Sequence, residues 1–213
     1  MRVGLIGYGL AGASFHAPLI AAEPALELAA IVTRAPERRD AARAQHPDAV
    51  LLDDLEALLA LAPDLVVVAT PNRLHVPHAR AAIDAGIAVV VDKPLATSAA
   101  DARALVDHAR ERGVLLSVFH NRRWDGDFLQ VRSRLADLGQ VFRFESRFER
   151  WRPEVNASSW RETQDGGVLL DLGPHLVDQA LQLFGPVDDV YGEVRSVRAG
   201  AQTDDDAFLA LSH

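Results

Sequence analysis

The sequence has no cysteine, a single lysine and no apolar run long enough to span a bilayer. Without cysteine there are no disulfides, thiolate metal ligands or cysteine nucleophiles, and the redox compartment is left unconstrained. Positive charge is not in excess either. Thirty acidic residues against 22 basic ones give a net charge of -8, which argues against a nucleic-acid backbone or an anionic membrane as partner. Internal repeats and low-complexity tracts are absent. The N-terminal stretch does not read as a secretory signal, because Gly4, Gly7, Gly9, Gly12, His16 and Pro18 interrupt its apolar core. A cytoplasmic protein is expected. What remains is ordinary: 213 residues, 49% hydrophobic and 24% charged, enough for a large folded domain or a domain and a half.

The lone lysine stands in an informative place. Ala88–Val91 is a buried β-branched run that stops abruptly at Asp92-Lys93-Pro94. An ammonium shifts its pKa readily and can pass a proton, whereas a guanidinium stays charged. A chain that otherwise uses arginine, with lysine at a strand's carboxyl end, points to acid–base work there.

The first half alternates strand and helix. Arg2–Ile6 reads as a strand, followed by Gly7-Tyr8-Gly9-Leu10-Ala11-Gly12 and a helix over Ala13–Ala22. This is G-x-G-x-x-G in strand–turn–helix context. Its glycines permit a tight turn, close approach to a pyrophosphate and close helix–strand packing, while the helix N-terminus offers N–H donors. Further strands are expected at Leu26–Val32, Val50–Leu52, Leu65–Ala69, Ala88–Asp92 and Val114–Phe119. Helices are expected at Pro36–Gln45, from an N-cap at Asp53 to about Leu61, over Val76–Ala85, and from Ser98 to Gly113 with Asp101 completing a near capping box. Six strands alternating with helices predict an α/β fold, a doubly wound parallel sheet over residues 1–120. Ligands of such sheets bind beyond the carboxyl ends of the strands. That rule gathers Gly7, Gly9, Leu10, Gly12, Thr33, Arg34, Thr70, Pro71, Asn72, Asp92, Lys93 and His120-Asn121 on one rim. The second strand ends in Thr33-Arg34, with Arg38 and Arg39 beyond and no carboxylate before Glu37. A hydroxyl and guanidinium groups suit a ribose 2′-phosphate, so NADP is expected over NAD. Glu27 lies on the wrong side, at the strand's start.

Residues 121–213 change character. Asn121-Arg122-Arg123-Trp124-Asp125 leads into an amphipathic helix ending near Leu138. Val141–Arg150 alternates as an antiparallel strand with one wet face would. A polar loop, Trp151–Gln164, precedes Asp165-Gly166-Gly167 and a long helix, Val168–Phe184. Val187–Val197 and Asp206–Ser212 read as two more strands. This half offers too few elements for a closed domain, so a truncated chain is expected. Asp171 and His175 are four apart, on one face if helical, with Asp178 a turn further on. Three readings compete: an acid–base histidine held by a carboxylate, a divalent-metal site lacking a third ligand, and a surface pair without function. Gly173-Pro174 between them would kink a helix and favours the first.

Together, Gly7-x-Gly9-x-x-Gly12, Thr70-Pro71-Asn72 with His75, Asp92-Lys93-Pro94 and Gly166-Gly167-x-x-x-Asp171-x-Gly173-x-His175 occur in an order and spacing that resembles the glucose–fructose oxidoreductase / inositol dehydrogenase / rhizopine-catabolism family (Gfo/Idh/MocA). The likeness covers the whole chain. It implies a Rossmann domain binding NAD(P), followed by an α+β domain, truncated here, whose mostly antiparallel sheet forms a homodimer or homotetramer interface. It also implies hydride exchange with a carbinol of a sugar, inositol or related polyol. On this resemblance Lys93, Asp171 and His175 are the catalytic set and line the substrate pocket, with Asn121, Arg122 and Trp151 as candidate substrate contacts and His75 among the cofactor residues. No metal is implied. Asp92 stands where the family usually has glutamate, and the chain is shorter than the family's usual length. Some relatives sense NAD(P) and sugars without turnover, which is the competing expectation.

Overall fold

Short β-branched runs become strands where both faces are covered, as Leu65–Val68 and Ala88–Asp92 show. In the computed structural model, which describes residues 1–156, 159, 162 and 166–213, the chain divides into Met1–Phe119 and His120–His213. In the first unit β1 (Arg2–Ile6), β2 (Glu27–Val32), β3 (Val50–Leu52), β4 (Leu65–Val68), β5 (Ala88–Asp92) and β6 (Leu116–Phe119) make one sheet in the order β3-β2-β1-β4-β5-β6. Every pairing is parallel. The expected doubly wound sheet is therefore present, and chain order reverses between β1 and β4.

Helices α1 (Ala17–Ala22), α2 (Pro36–Gln45), α3 (Leu55–Ala60), α4 (His75–Asp84) and α5 (Ala99–Arg112) connect the strands. Alternate strand residues face opposite layers, as a period of two requires. Ile6, Val66, Val68, Val89 and Val91 pack with Leu58, Ala79, Ala82, Ile83 and Leu105. Val3, Leu5, Ile31 and Val67 pack with Ala17, Ile20 and Ala42 on the other side. Helix ends follow their local chemistry. Ser98 Oγ accepts from the Asp101 N–H at 3.1 Å, and Gly113 closes α5 with φ +66°. The cap of α3 is Asp54 rather than the expected Asp53: Asp54 Oδ1 accepts from the Ala57 N–H at 2.8 Å. Asp53 is instead held by Arg39 at 2.6 Å. Two adjacent aspartates compete for one cap, and the ion pair takes the first.

The second unit departs further from expectation. A tight turn over Asn121–Trp124 leads into α6 (Gly126–Arg134), extended by a 3₁₀ turn, Leu135–Leu138. The expected strand over Val141–Arg150 does not form. Its side chains still sort with a period of two, since Glu145 pairs with Arg143 and Arg147 while Phe144 meets the Phe184 ring at 5.3 Å. Alternation favours a strand only where a neighbouring backbone completes the ladder, and among the described residues none does. Of the expected loop over 151–164, residues 157, 158, 160, 161, 163 and 164 lie outside the described residues, as does the expected helix-opening Asp165. The long helix over Val168–Phe184 is divided into α7 (Val168–Asp171) and α8 (Gly173–Phe184), broken at Leu172 with φ −108°. Pro174 cannot donate to the carbonyl of Leu170, which accounts for the interruption. β7 (Asp189–Arg195) and β8 (Asp206–Ser212) pair antiparallel with each other.

Leu58 is fully buried, and its Cδ1 would lie 2.5 Å from a Cβ added at Gly4, so the glycine in β1 is what makes room for it. Leu58→Ala is expected to cost about 2–5 kcal/mol, lowering the urea midpoint at unchanged slope.

Candidate functional site

The site begins at the glycine turn after β1. Gly7 has φ +98°, and a Cβ there would stand 2.3 Å from the Ala69 carbonyl oxygen. A Cβ at Gly12 would stand 2.1 Å from the Gly7 carbonyl oxygen. Both positions exclude any side chain, so the turn, the following helix and the end of β4 pack backbone to backbone. Gly9 is open apart from Arg38 Nη1, 3.9 Å from where its Cβ would be. Bare backbone, a helix start and one guanidinium meet here, the groups that a phosphate-binding turn calls for. Leu10 is exposed beside it. Among sites sequence reasoning missed is Tyr8, which folds inward and donates to Gln45 Oε1 at 2.8 Å; burial pushes its phenol up.

At the end of β2 the arginines divide their work. Arg39 donates to the Thr33 carbonyl, the Leu52 carbonyl and Asp53, at 2.9, 3.3 and 2.6 Å, and so fastens β2 to β3. Arg34 donates through Nε to the Asp53 carbonyl at 2.8 Å. Thr33 is buried. Arg38 is exposed and stands nearest the glycine turn.

Beyond β4 and β5 a histidine joins two loops. His75 is 1% exposed, with Nδ1 2.7 Å from the Pro94 carbonyl and Nε2 2.8 Å from the Thr70 carbonyl. Its ring nitrogens are thus taken up by the protein, and its contribution is to hold Thr70-Pro71-Asn72 against Lys93-Pro94, whose peptide bond is cis. Thr70 Oγ1 lies 3.4 Å from His78 Nδ1, and burial together with the neighbouring His75 lowers the pKa of His78. Asn72 is buried at the start of a 3₁₀ turn. Asp92 Oδ1 accepts from the Lys93 N–H at 2.8 Å. Burial raises the Asp92 pKa, but His16 and Lys93 more than reverse it, and the carboxyl lies below its ordinary range.

In the second unit, Asp171 ends α7 and His175 lies buried in the first turn of α8. They do not share one continuous helical face, as four-residue spacing alone implied, because Leu172 breaks the helix between them. Asp178 is not a free neighbour of His175: Arg123 grips it with Nε at 2.8 Å and Nη2 at 2.5 Å, and His120 Nδ1 lies 4.0 Å away. Among the described residues no three His, Asp or Glu side chains converge to hold a metal. Asn121 starts the turn, while Arg122 pairs with Asp125 at 2.9 Å and lies 4.9 Å over the Phe148 ring. Trp151 is 91% exposed. The Arg123–Asp178 pair was missed; adjacent arginines in a turn carry no signal for which one finds a partner 55 residues on.

A Rossmann unit whose glycine turn lies at the switch point, followed by an α+β unit bearing a buried histidine, defines a class of dinucleotide-dependent oxidoreductases. The profile of the oxidoreductase family with NAD-binding Rossmann fold matches residues 1–120, and that of the GFO/IDH/MocA C-terminal domain matches residues 128–213. The chain belongs to the Gfo/Idh/MocA family. It is 39% identical to scyllo-inositol 2-dehydrogenase (NADP(+)) IolW of Bacillus subtilis, over all of this chain and 60% of that protein. It is 32% identical to D-glucoside 3-dehydrogenase of Escherichia coli, over 93% of this chain and 57% of that protein. The solved oxidoreductase YPO2259 of Yersinia pestis superposes with a TM-score of 0.90 at 46% identity, over 100% of this chain and 60% of that one. The chain thus spans about three-fifths of the length of these relatives.

Gly12→Ala forces apart two backbones already in contact. It is expected to weaken NADPH binding at least tenfold, read by fluorescence titration, and to cost about 1–3 kcal/mol in urea denaturation.

Proposed function

We propose that the whole protein is an NADP-preferring dehydrogenase or reductase acting on a secondary alcohol or ketone of a sugar, inositol or related polyol. The observation that carries this reading is the side-chain-free cradle at Gly7 and Gly12, with Arg38 beside it, at the point where the sheet order reverses. Family membership and relatives named for an inositol and a glucoside support the substrate class. The relative named for NADP(+) supports the cofactor.

The cradle would hold the pyrophosphate and Arg38 the 2′-phosphate, with Thr33 and Arg34 at the same strand end. Bound NADP supplies the hydride acceptor at its nicotinamide. The chain's own groups move the proton. His175 takes the hydroxyl proton on oxidation and returns it on reduction. Lys93 stabilises the developing negative charge on that oxygen. Asp171 holds a substrate hydroxyl, and Asn121, Arg122 and Trp151 offer further polar and stacking contacts. The shared motif order and the match to both family domains support a role for Lys93 and His175 in one reaction. Assembly through the C-terminal sheet belongs to the same reading, supported by the exposed Val190, Val194 and Phe208.

In the whole protein, Lys93→Met and His175→Ala are each expected to lower kcat by about 10²–10⁴-fold while NADPH affinity is kept. Normal turnover by both variants overturns the mechanism. A polyol and aldose panel followed at the NADPH absorbance band separates an enzyme from a sensor that binds without turnover. Arg38→Ser is expected to raise KM for NADPH about tenfold or more and leave KM for NADH nearly unchanged, a loss of roughly 1–2 kcal/mol of phosphate recognition. Wild-type preference for NADH sinks the cofactor assignment.

A further inference from the structure

One buried titratable side chain of the first unit has no part in the reading above. His16 is 4% exposed. It closes a π-helical turn, Gly12–His16, between the glycine cradle and α1. Such turns are rare and place a side chain where a regular helix would not. The imidazole is directed down onto the sheet, where it meets the Phe119 ring at the end of β6 at 4.3 Å between centroids. Its Nε2 stands 3.9 Å from Asp92 Oδ2, beyond hydrogen-bond length, and has no hydrogen-bond partner among the described residues. A buried ring nitrogen with no other claim on it and a carboxylate at that distance is an arrangement that a small side-chain rotation completes. The other oxygen of Asp92 already accepts the Lys93 N–H.

We infer that His16 is a positioning residue for Lys93: it holds the Asp92 carboxylate from below, linking the dinucleotide-binding turn to the strand end that carries the amine. The inference rests on the role proposed for Lys93. Three elements meet here, and each contributes one kind of group. The helix start brings an imidazole, β5 brings Asp92 and Lys93, and β6 brings the apolar Phe119. His75 lies one peptide further on, bonded to the Pro94 carbonyl. The direction of the Asp92 pKa agrees with this: burial would raise it, and the contributions that reverse it come first from His16 and then from Lys93. With the imidazole removed, the carboxylate loses its largest stabilising neighbour. Its pKa then rises, and the negative charge beneath Lys93 is lost at a higher pH than in the wild type.

The test uses the whole protein labelled with ¹³C-carboxyl aspartate, the Asp92 resonance being assigned with Asp92→Asn. In His16→Gln and His16→Phe, the Asp92 titration midpoint is expected to rise by about one pH unit, more in the phenylalanine variant, which keeps the Phe119 contact but offers no donor. As Lys93 loses its support, kcat is expected to fall about tenfold, with KM for NADPH within about twofold of wild type. A midpoint unchanged in both variants overturns the inference, as does a wild-type kcat in both variants while the midpoint moves. The glutamine variant decides alone if the phenylalanine variant does not fold. If the wild type turns over no polyol, the functional reading fails, while the carboxyl titration still decides whether His16 holds Asp92.

Discussion

The first unit depends on a contact between backbones that no side chain can enter. The Gly7 carbonyl fills the space where Gly12 would carry a Cβ, and the Ala69 carbonyl fills the space where Gly7 would. The start of the helix, the end of β1 and the end of β4 are thereby locked at van der Waals distance. The close approach allows the N–H groups of the helix start to face an anion without a side chain in front of them. It also fixes where the switch point lies, because β1 and β4 are the two strands that part company in chain order.

Around this contact the rim is held by polar groups that are individually small in number and fully employed. His75 lies between the β4 loop and the β5 loop, its two ring nitrogens 2.8 and 2.7 Å from one carbonyl of each. Arg39 ties β2 to β3 through two carbonyls and a carboxylate. Buried polar groups of this kind stabilise modestly when satisfied and cost considerably when one partner is removed. They therefore specify loop positions more than they add to overall stability. His75 thereby fastens the loop that carries the half-buried Lys93, and Arg39 fastens the strand end from which the chain runs on to the exposed Arg38.

The sheet was legible because its determinants are local or strictly periodic. Val66, Val67 and Val68 are buried on both faces, and a run like theirs has few other homes. Gly7 and Gly12 were legible through spacing, and the Ser98–Asp101 cap through residue type. The errors fall where the outcome depends on competition or on distant chain. Asp53 and Asp54 are equally good caps until Arg39, fourteen residues away, engages one of them. Val141–Arg150 has the alternation of a strand without a ladder to join among the described residues. The break at Leu172 follows from Pro174, and it puts Asp171 and His175 in different helical segments, which four-residue spacing alone does not show. His16 registered only as an interruption in an apolar run. No local pattern reveals that a π-helical turn aims it at Asp92, 76 residues later in the chain.

The two units are stabilised in different ways, and this bears on the catalytic assignment. Among the described residues the buried apolar side chains of the second unit are Phe128 and Ala180, whereas those of the first fill both layers of its sheet. A two-stranded ribbon such as β7–β8 is marginal by itself. The second unit relies instead on charge. Arg123 holds Asp178 through two parallel bonds, and the Asp178 hydrogen bond raises the guanidinium pKa. Arg198 reaches Asp205, Glu162 and the carbonyls of Arg152 and Glu154. Asp204 accepts from the Leu169 N–H at 2.7 Å, at the start of α7. Bidentate guanidinium–carboxylate pairs fix direction as well as distance. The setting of His175 is therefore governed by the grip on Asp178 one turn along α8. The grip fixes α8 to the Asn121–Trp124 turn, and with the Asp178 carboxylate buried it is screened by salt far less than a surface pair.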